Sequence, residues 1–201
     1  MIEKYINKKY LDDKTINKLR DLFIKDKPFP HLVLKDIFNN TFLNNVVKGL
    51  VNEEFNFKDS DLFSFYQTTD LISSNNKTVK KFYNFINSKD FKEYLFKITG
   101  VKAFGKIDSS GFIYNNRCYL LPHDDTLEGR KIAYILNFST FSKKDGGSLD
   151  FYKYNKVVKS IIPKFGNFII FKVENGITFH QVSEVISNEN RITIAGWFND
   201  K

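Results

Sequence analysis

Apolar residues recur at helical spacing in the first half of the chain and gather in short β-rich runs at close spacing in the second; the change falls at Gly100. Ile16, Leu19, Leu22 and Phe23 predict a polar helix within residues 1–27. The run KPFPHLVLKDIF carries two prolines and an apolar core, which predicts an extended entry strand near Leu32 and Val33. Asn40 or Thr41 then caps a helix that buries Phe42, Leu43, Val46, Val47 and Leu50. The stretch NFKDSDLFSFYQTTDLISSNN is polar with interspersed aromatics and no clean period, so it reads as a loop or a short irregular hairpin. Residues 78–98 read as one or two helices with Val79, Phe82, Phe85, Ile86, Phe91, Leu95 and Phe96 on the buried side, ended by Gly100.

After Gly100 come AFGKI, GFIYNNRCYLL, KIAYILNF, SLDFY, VVKSIIP, NFIIF, GITFHQV and RITIAGWF. Turn signals such as Asp145-Gly146-Gly147 and Asn175-Gly176 separate them. About eight short strands in about 95 residues predict an all-β core with flanking helices, a jelly roll or double-stranded β-helix over about 101–199. The N-terminal helices would pack on one of its sheets. Residues 1–27 then form a helical extension and 28–201 the domain itself.

Composition narrows the class. The 201 residues include 22 Phe and 10 Tyr, ample for a packed core, and only 10 Gly and 4 Pro, which excludes a disordered or fibrous chain. The single Cys118 excludes an intramolecular disulfide and suits a reducing, cytoplasmic setting. The charged start MIEKYINKKYLDDK is not a secretory signal, and no apolar run approaches the roughly 20 residues that span a membrane. The net charge of +8 is diffuse and without an arginine-rich run. It is consistent with approach to an acidic, RNA-rich particle, but direct nucleic-acid binding is not inferred from it.

The chemistry concentrates in PHDDTLEGR and ITFHQVSEVISNENRITIAGWF. His123 and Asp125 are two apart at a strand end, so alternation puts them on one face. His180 follows 55 residues after Asp125, on a strand that a jelly roll can bring alongside. Two His and one carboxylate leave open positions on a metal, the arrangement of non-haem Fe(II) oxygenases, although zinc accepts the same ligands. Arg191 lies 11 residues beyond His180 and shares a face with Thr193, Ala195 and Trp197. A guanidinium inside a barrel needs an anion. Its planar fork suits the distal carboxylate of 2-oxoglutarate, with the Thr193 hydroxyl beside it. A surface ion pair is the plainer reading of Arg191 taken alone. Other candidates read as structural: His31 on the entry strand outside the barrel, Cys118 as a small buried residue of opposite parity to His123, Asp124 as a solvent-facing carboxylate, Asp145-Gly146-Gly147 as a tight turn rather than a phosphate loop, and the lysines of residues 77–97 as a solvated face.

Taken in order, PFPH, DLFSFYQTTDL, HDDTLEGRKIAYIL, GGSLDFY, KSIIPKFGNFIIF and FHQVSEVIS with RITIAGWF resemble the catalytic domain of the ribosomal prolyl hydroxylases, over residues 28–199. Those are Fe(II)- and 2-oxoglutarate-dependent oxygenases. The resemblance implies iron on His123, Asp125 and His180, and 2-oxoglutarate on Arg191 with Thr193 and Asn137. It also implies O2 as second cosubstrate and ascorbate as a reductant. Arg130 and Trp197 fall at positions near the peptide substrate, and residues 62–71 resemble a segment that closes over it. No catalytic group beyond the iron ligands is expected. The expected partner is a protein, through a prolyl residue of a ribosomal or other translation protein. Two departures stand out. Asn137 occupies a position where the family has a Tyr contacting 2-oxoglutarate, for which Tyr119 or Tyr134 would compensate. Eukaryotic members carry a second jelly roll, and these 201 residues match only the first. These departures keep open an oxygenase of a free amino acid or nucleic acid base, and a non-catalytic metal-binding jelly roll.

Overall fold

In the computed structural model, which describes residues 2–201, four α-helices of similar length are interspersed with three strands, and eight further strands follow them. The order is α1 (Asp13–Lys25), β1 (His31–Leu34), α2 (Asn40–Leu50), β2 (Asn56–Ser60), β3 (Phe63–Gln67), α3 (Lys77–Ile86), α4 (Lys89–Thr99), β4 (Ile107–Tyr114), β5 (Tyr119–His123), β6 (Arg130–Asn137), β7 (Leu149–Lys153), β8 (Lys156–Ile161), β9 (Phe168–Lys172), β10 (His180–Val182) and β11 (Arg191–Asn199). Side chains cap each helix start: Asp12 accepts from the Thr15 amide, Asn39 from Thr41 and Phe42, Asn76 from Thr78 and Val79, and Ser88 from Phe91. The Ser88 cap is what divides residues 78–98 into two helices. Gly100 closes α4 with φ 71, the left-handed end the sequence predicts. No helix among the described residues is long and apolar enough to cross a membrane.

All strand pairs are antiparallel, in the order β1-β9-β6-β11-β4-β3-β5-β10-β7-β8, with β2 on β3. The sheet curls on itself into the expected double-stranded β-helix. Its convex side carries the helices: Leu43, Val46, Leu50, Val79, Phe82 and Phe91 meet Tyr134, Leu136, Phe168, Ile170, Ile194 and Phe198 in one core. Ile16, Leu19 and Phe23 of α1 join it, whereas Leu22, expected on that face, is 47% exposed. The alternate residues of the same strands turn to the concave side. There Ala133, Ile135 and Phe171 meet Leu149 and Phe151, and Phe65, Phe112 and Tyr114 meet Val182.

Three local expectations change. Of the loop or short irregular hairpin expected at residues 56–67, the hairpin forms, and it is regular, with register Asn56↔Gln67 to Ser60↔Phe63. Pairing of β3 to β4 and β5 imposes the order that its mixed composition hides. AFGKI contributes only Ile107 to a strand, and GFIYNNRCYLL divides into β4 and β5 at a turn where Arg117 has φ 70. His31 is not outside the barrel: β1 pairs along β9, and His31 lies opposite Phe171 with no exposed surface.

Candidate metal centre and its cavity

His123 and His180 are register partners on β5 and β10, and their rings lie 4.2 Å apart. From Leu120↔Val182 to His123↔His180, β5 uses three steps and β10 two. This bulge aims both Leu120 and His123 into the concavity. The extra residue also undoes the parity that set Cys118 apart: Cys118 is buried with Phe112, Tyr114 and Val182 on the cavity side. Each imidazole is oriented from behind. His123 Nδ1 is 2.8 Å from the Leu121 carbonyl and His180 Nδ1 2.9 Å from that of Thr178. A carbonyl only accepts, so both Nδ1 atoms carry the proton and both Nε2 lone pairs point inward.

Asp125 arrives by a different route from the alternation argument. β5 ends at His123, and Asp125 sits in the following loop with φ 61, a conformation unusual for a side chain larger than Gly. From there Oδ1 is 3.3 Å from His123 Nε2 and Oδ2 3.3 Å from His180 Nε2. The three donor atoms lie within 4.8 Å of one another, so one ion could be held by all three. Burial alone would raise the Asp125 carboxyl; the two imidazoles override it and hold it well below the usual carboxylate range. Burial works against a charged His123, but Asp125 outweighs it and raises that imidazole. Asp124 is not simply solvent-facing. Its carboxylate accepts from the Thr126 and Gly176 amides at 3.1 and 2.9 Å and ties the metal loop to the turn before β10.

The cluster opens onto a cavity of about 320 Å³. Arg191 lies in its wall at 2% exposure, and its Cζ stands 5.0 Å over the ring of Tyr114, its partner in the β4–β11 register. Among the described residues no carboxylate pairs with this guanidinium, and its Nε has no partner. Burial pushes the Arg191 pKa down, and the same burial pushes the Tyr114 phenol up. A buried cation without an anion is costly, so the geometry fits a carboxylate ligand. The turn expected at Asp145-Gly146-Gly147 is the end of a short 3-10 helix, Lys143–Asp145, after which Gly146 and Gly147 have φ 68 and 65 and Gly146 bridges to Val185. A Cβ on Gly146 would come 2.0 Å from the Glu184 carbonyl oxygen, and one on Gly147 3.1 Å from Arg191 Cδ. The turn therefore leaves room for Arg191 to lie flat.

Thr193 is buried in the cavity wall opposite Asn137 in the β6–β11 register. Asn137 is buried with its Nδ2 3.4 Å from the Asn167 carbonyl, and it is not among the residues that line the cavity. Tyr134 borders the cavity, but its ring packs in the helix-facing core and its hydroxyl goes to Ser109 Oγ at 2.5 Å; Tyr119 pairs with Ser64 in the β3–β5 register. Tyr114 is the aromatic beside Arg191, a neighbour that no sequence motif marks. Its only signal is position: it ends an apolar run opposite the strand that Arg191 begins. Arg130 stacks on Trp197 with Cζ 3.4 Å from the ring centroid, and both line the cavity. Phe63, Phe65 and Gln67 of the hairpin supply the facing wall.

A family model described as the 2OG-Fe(II) oxygenase superfamily matches residues 109–199. The chain is 38% identical over 181 residues to the prolyl 3-hydroxylase OGFOD1 of Xenopus laevis, covering 86% of this chain and 35% of that protein. It is 32% identical over 197 residues to the prolyl 3,4-dihydroxylase OGFOD1 of Ostreococcus tauri, covering 87% and 38%. The chain thus spans little more than a third of the length of these curated relatives. Among solved structures, a Pseudomonas putida prolyl-4-hydroxylase superposes with TM-score 0.74 at 13% identity, covering 91% of this chain and 99% of that one. A Trichoplax adhaerens prolyl hydroxylase in complex with a hypoxia inducible factor peptide fragment gives 0.74 at 15%, covering 98% and 96%. At these identities the structures bear on the fold alone.

Proposed function

The chain belongs to the 2OG-Fe(II) oxygenase superfamily, and from that premise we propose that it is a protein prolyl hydroxylase whose substrate is a ribosomal or translation-associated protein. The cofactor set of the family is Fe(II), with 2-oxoglutarate and O2 as cosubstrates. We assign the iron to His123 Nε2, His180 Nε2 and an Asp125 carboxylate oxygen, and residues 28–201 to the oxygenase domain with 1–27 as its helical extension. One observation carries the reading: a two-His, one-carboxylate cluster shares a cavity with a buried arginine that lacks an anion.

The residues divide the work. The Leu121 and Thr178 carbonyls hold the two imidazoles in the tautomer that leaves Nε2 free. Arg191 binds the far carboxylate of 2-oxoglutarate as a fork, with the Thr193 hydroxyl as a further donor and Tyr114 as the surface on which the guanidinium rests. Asn137 is expected to contribute little, since its amide is directed to Asn167. Phe63, Phe65, Phe112 and Phe171 exclude water from the cavity. Arg130 and Trp197 orient the substrate chain at the mouth. When bound, the metal supplies the oxidation: 2-oxoglutarate and O2 become succinate and CO2, and one oxygen atom enters a substrate C–H bond. Ascorbate would keep the metal ferrous, and the single thiol, Cys118, buried and unpaired, suits a cytoplasmic setting.

The experiment is turnover with Fe(II), 2-oxoglutarate and peptides tiled from ribosomal proteins. The expected result is succinate release coupled to a gain of one oxygen on a proline, both absent in His123→Ala. Coupled turnover of free proline or a methylated oligonucleotide, with none of any peptide, would overturn the substrate class.

A further inference from the structure

A second concavity, a groove of about 900 Å³, lies outside the metal cavity. Pro28, Pro122, Tyr152, Tyr154, Ile177 and Phe179 form its walls. Tyr154 is 88% exposed, Ile177 52% and Phe179 39%. Large apolar side chains gathered on one exposed patch mark an interaction surface.

Its position ties it to the site. His180 faces both His123 on β5 and Phe151 on β7, so residues 152–155 run past the metal cluster at the same end of the sheet. The Tyr152 amide donates to the Phe179 carbonyl at 2.9 Å, which joins the two walls. Phe179 precedes His180 and Pro122 precedes His123, so the groove lies across the strands from the cavity.

Its chemistry selects the occupant. Grooves lined by aromatic rings bind polyproline II segments, whose extended shape is already set and whose pyrrolidine rings lie against aromatic faces. The charged residue in the lining is Lys153, its Nζ 5.3 Å from the Tyr154 ring centroid, and Lys156 follows on the same hairpin. Nearby acids are engaged: Asp124 accepts two backbone amides and Glu174 pairs with Lys172 at 2.8 Å. The groove therefore presents a positive field over apolar walls. We infer that it binds an extended, proline-containing segment bearing acidic side chains, the flank of the chain whose target residue enters the cavity. This rests on the prolyl hydroxylase reading, which makes the occupant part of the substrate.

Fluorescence anisotropy with the full chain tests it, using labelled peptides of repeating Pro-Pro-Glu, the same with Lys for Glu, and the same with Gly-Ser for Pro-Pro. The first peptide should bind, and the other two should be roughly tenfold weaker or worse. Tyr154→Asn and Lys153→Glu should each weaken it roughly five- to tenfold. Asn suits the backbone there, where Tyr154 has φ 49, and circular dichroism confirms that both variants fold. His123→Ala should bind it as well as the parent. Equal affinity for all three peptides, lack of binding by the first, indifference to both substitutions, or preference for a single-stranded oligonucleotide would overturn the inference. The two readings fail separately: lost turnover with groove binding intact sinks the hydroxylase, and turnover without groove binding sinks the groove.

Discussion

Arg191 and Tyr114 face each other across the β4–β11 register, the guanidinium carbon 5.0 Å over the phenol ring, and both are buried. Both line the cavity, and the proposed role of Arg191 there is to bind the anionic end of 2-oxoglutarate. Hydrogen bonds to a charged partner are worth about 1.5–3 kcal/mol each, so a two-pronged contact is worth enough for a loss of roughly a hundredfold or more. Arg191→Ala should weaken 2-oxoglutarate binding by that factor while Mn(II) affinity changes less than about twofold. Calorimetry with Mn(II) in place of iron reads both. Equal losses would mean that Arg191 shapes the metal site instead.

The same residue sets stability against function. An unpaired buried cation destabilises the fold, and replacing buried charge by an apolar group of similar volume is often neutral or stabilising by about 1–4 kcal/mol. Arg191→Met should therefore leave the melting temperature of the ligand-free protein unchanged or higher, while 2-oxoglutarate no longer raises it. A sharply lower melting temperature would show that the charge is compensated.

Two tyrosines separate structure from site. Tyr134→Phe removes the bond to Ser109 on the helix side and should cost about 1 kcal/mol of stability with 2-oxoglutarate affinity intact. Tyr114→Ala should lower that affinity, because the guanidinium loses the surface it rests on. Denaturant melts paired with calorimetry distinguish them, and matching effects of the two substitutions would contradict the division.

His31 makes the fold acid-sensitive. Burial lowers its pKa below the usual 6.5, and Lys159 adds to this; the Phe29 carbonyl and Asp26, 3.1 Å from Nε2, pull upward but do not win. A depressed imidazole means that the unfolded chain binds the proton first, so stability falls as pH drops below about 6.5 and is complete above it. Asp26, held low against its own burial chiefly by Lys159, contributes separately and only at more acidic pH. His31→Gln should flatten the melting temperature between roughly pH 7 and 5. An unchanged slope would place the acid sensitivity elsewhere.

Much of this was legible in the residues, and the misses have physical causes. The switch at Gly100 to short apolar runs announced the β-helix, because strands buried on both faces, such as β6 and β9, leave continuous apolar runs broken by turn residues. The His123, Asp125 and His180 cluster could be picked out because histidines are rare in this chain, which has three. Its geometry could not be. A one-residue bulge in β5 and a left-handed Asp125 bring the three side chains together, and neither leaves a pattern at the residue level. Tyr114 was hidden because one strand's register on another is set by the whole sheet. The regular pairing of the hairpin at residues 56–67 was hidden for a related reason: β2 is exposed throughout and owes its order to β3.

We propose that His123, Asp125 and His180 hold Fe(II) while Arg191 holds 2-oxoglutarate against it. Anaerobic titration of the Fe(II)-loaded chain with 2-oxoglutarate tests it most directly, through the visible metal-to-ligand charge-transfer band of a chelated 2-oxo acid. The account predicts a saturable band at one 2-oxoglutarate per chain, lost in Asp125→Ala and, at the same concentration, in Arg191→Ala. An undiminished band in Asp125→Ala, or no band in the parent chain with Fe(II) bound, would contradict it.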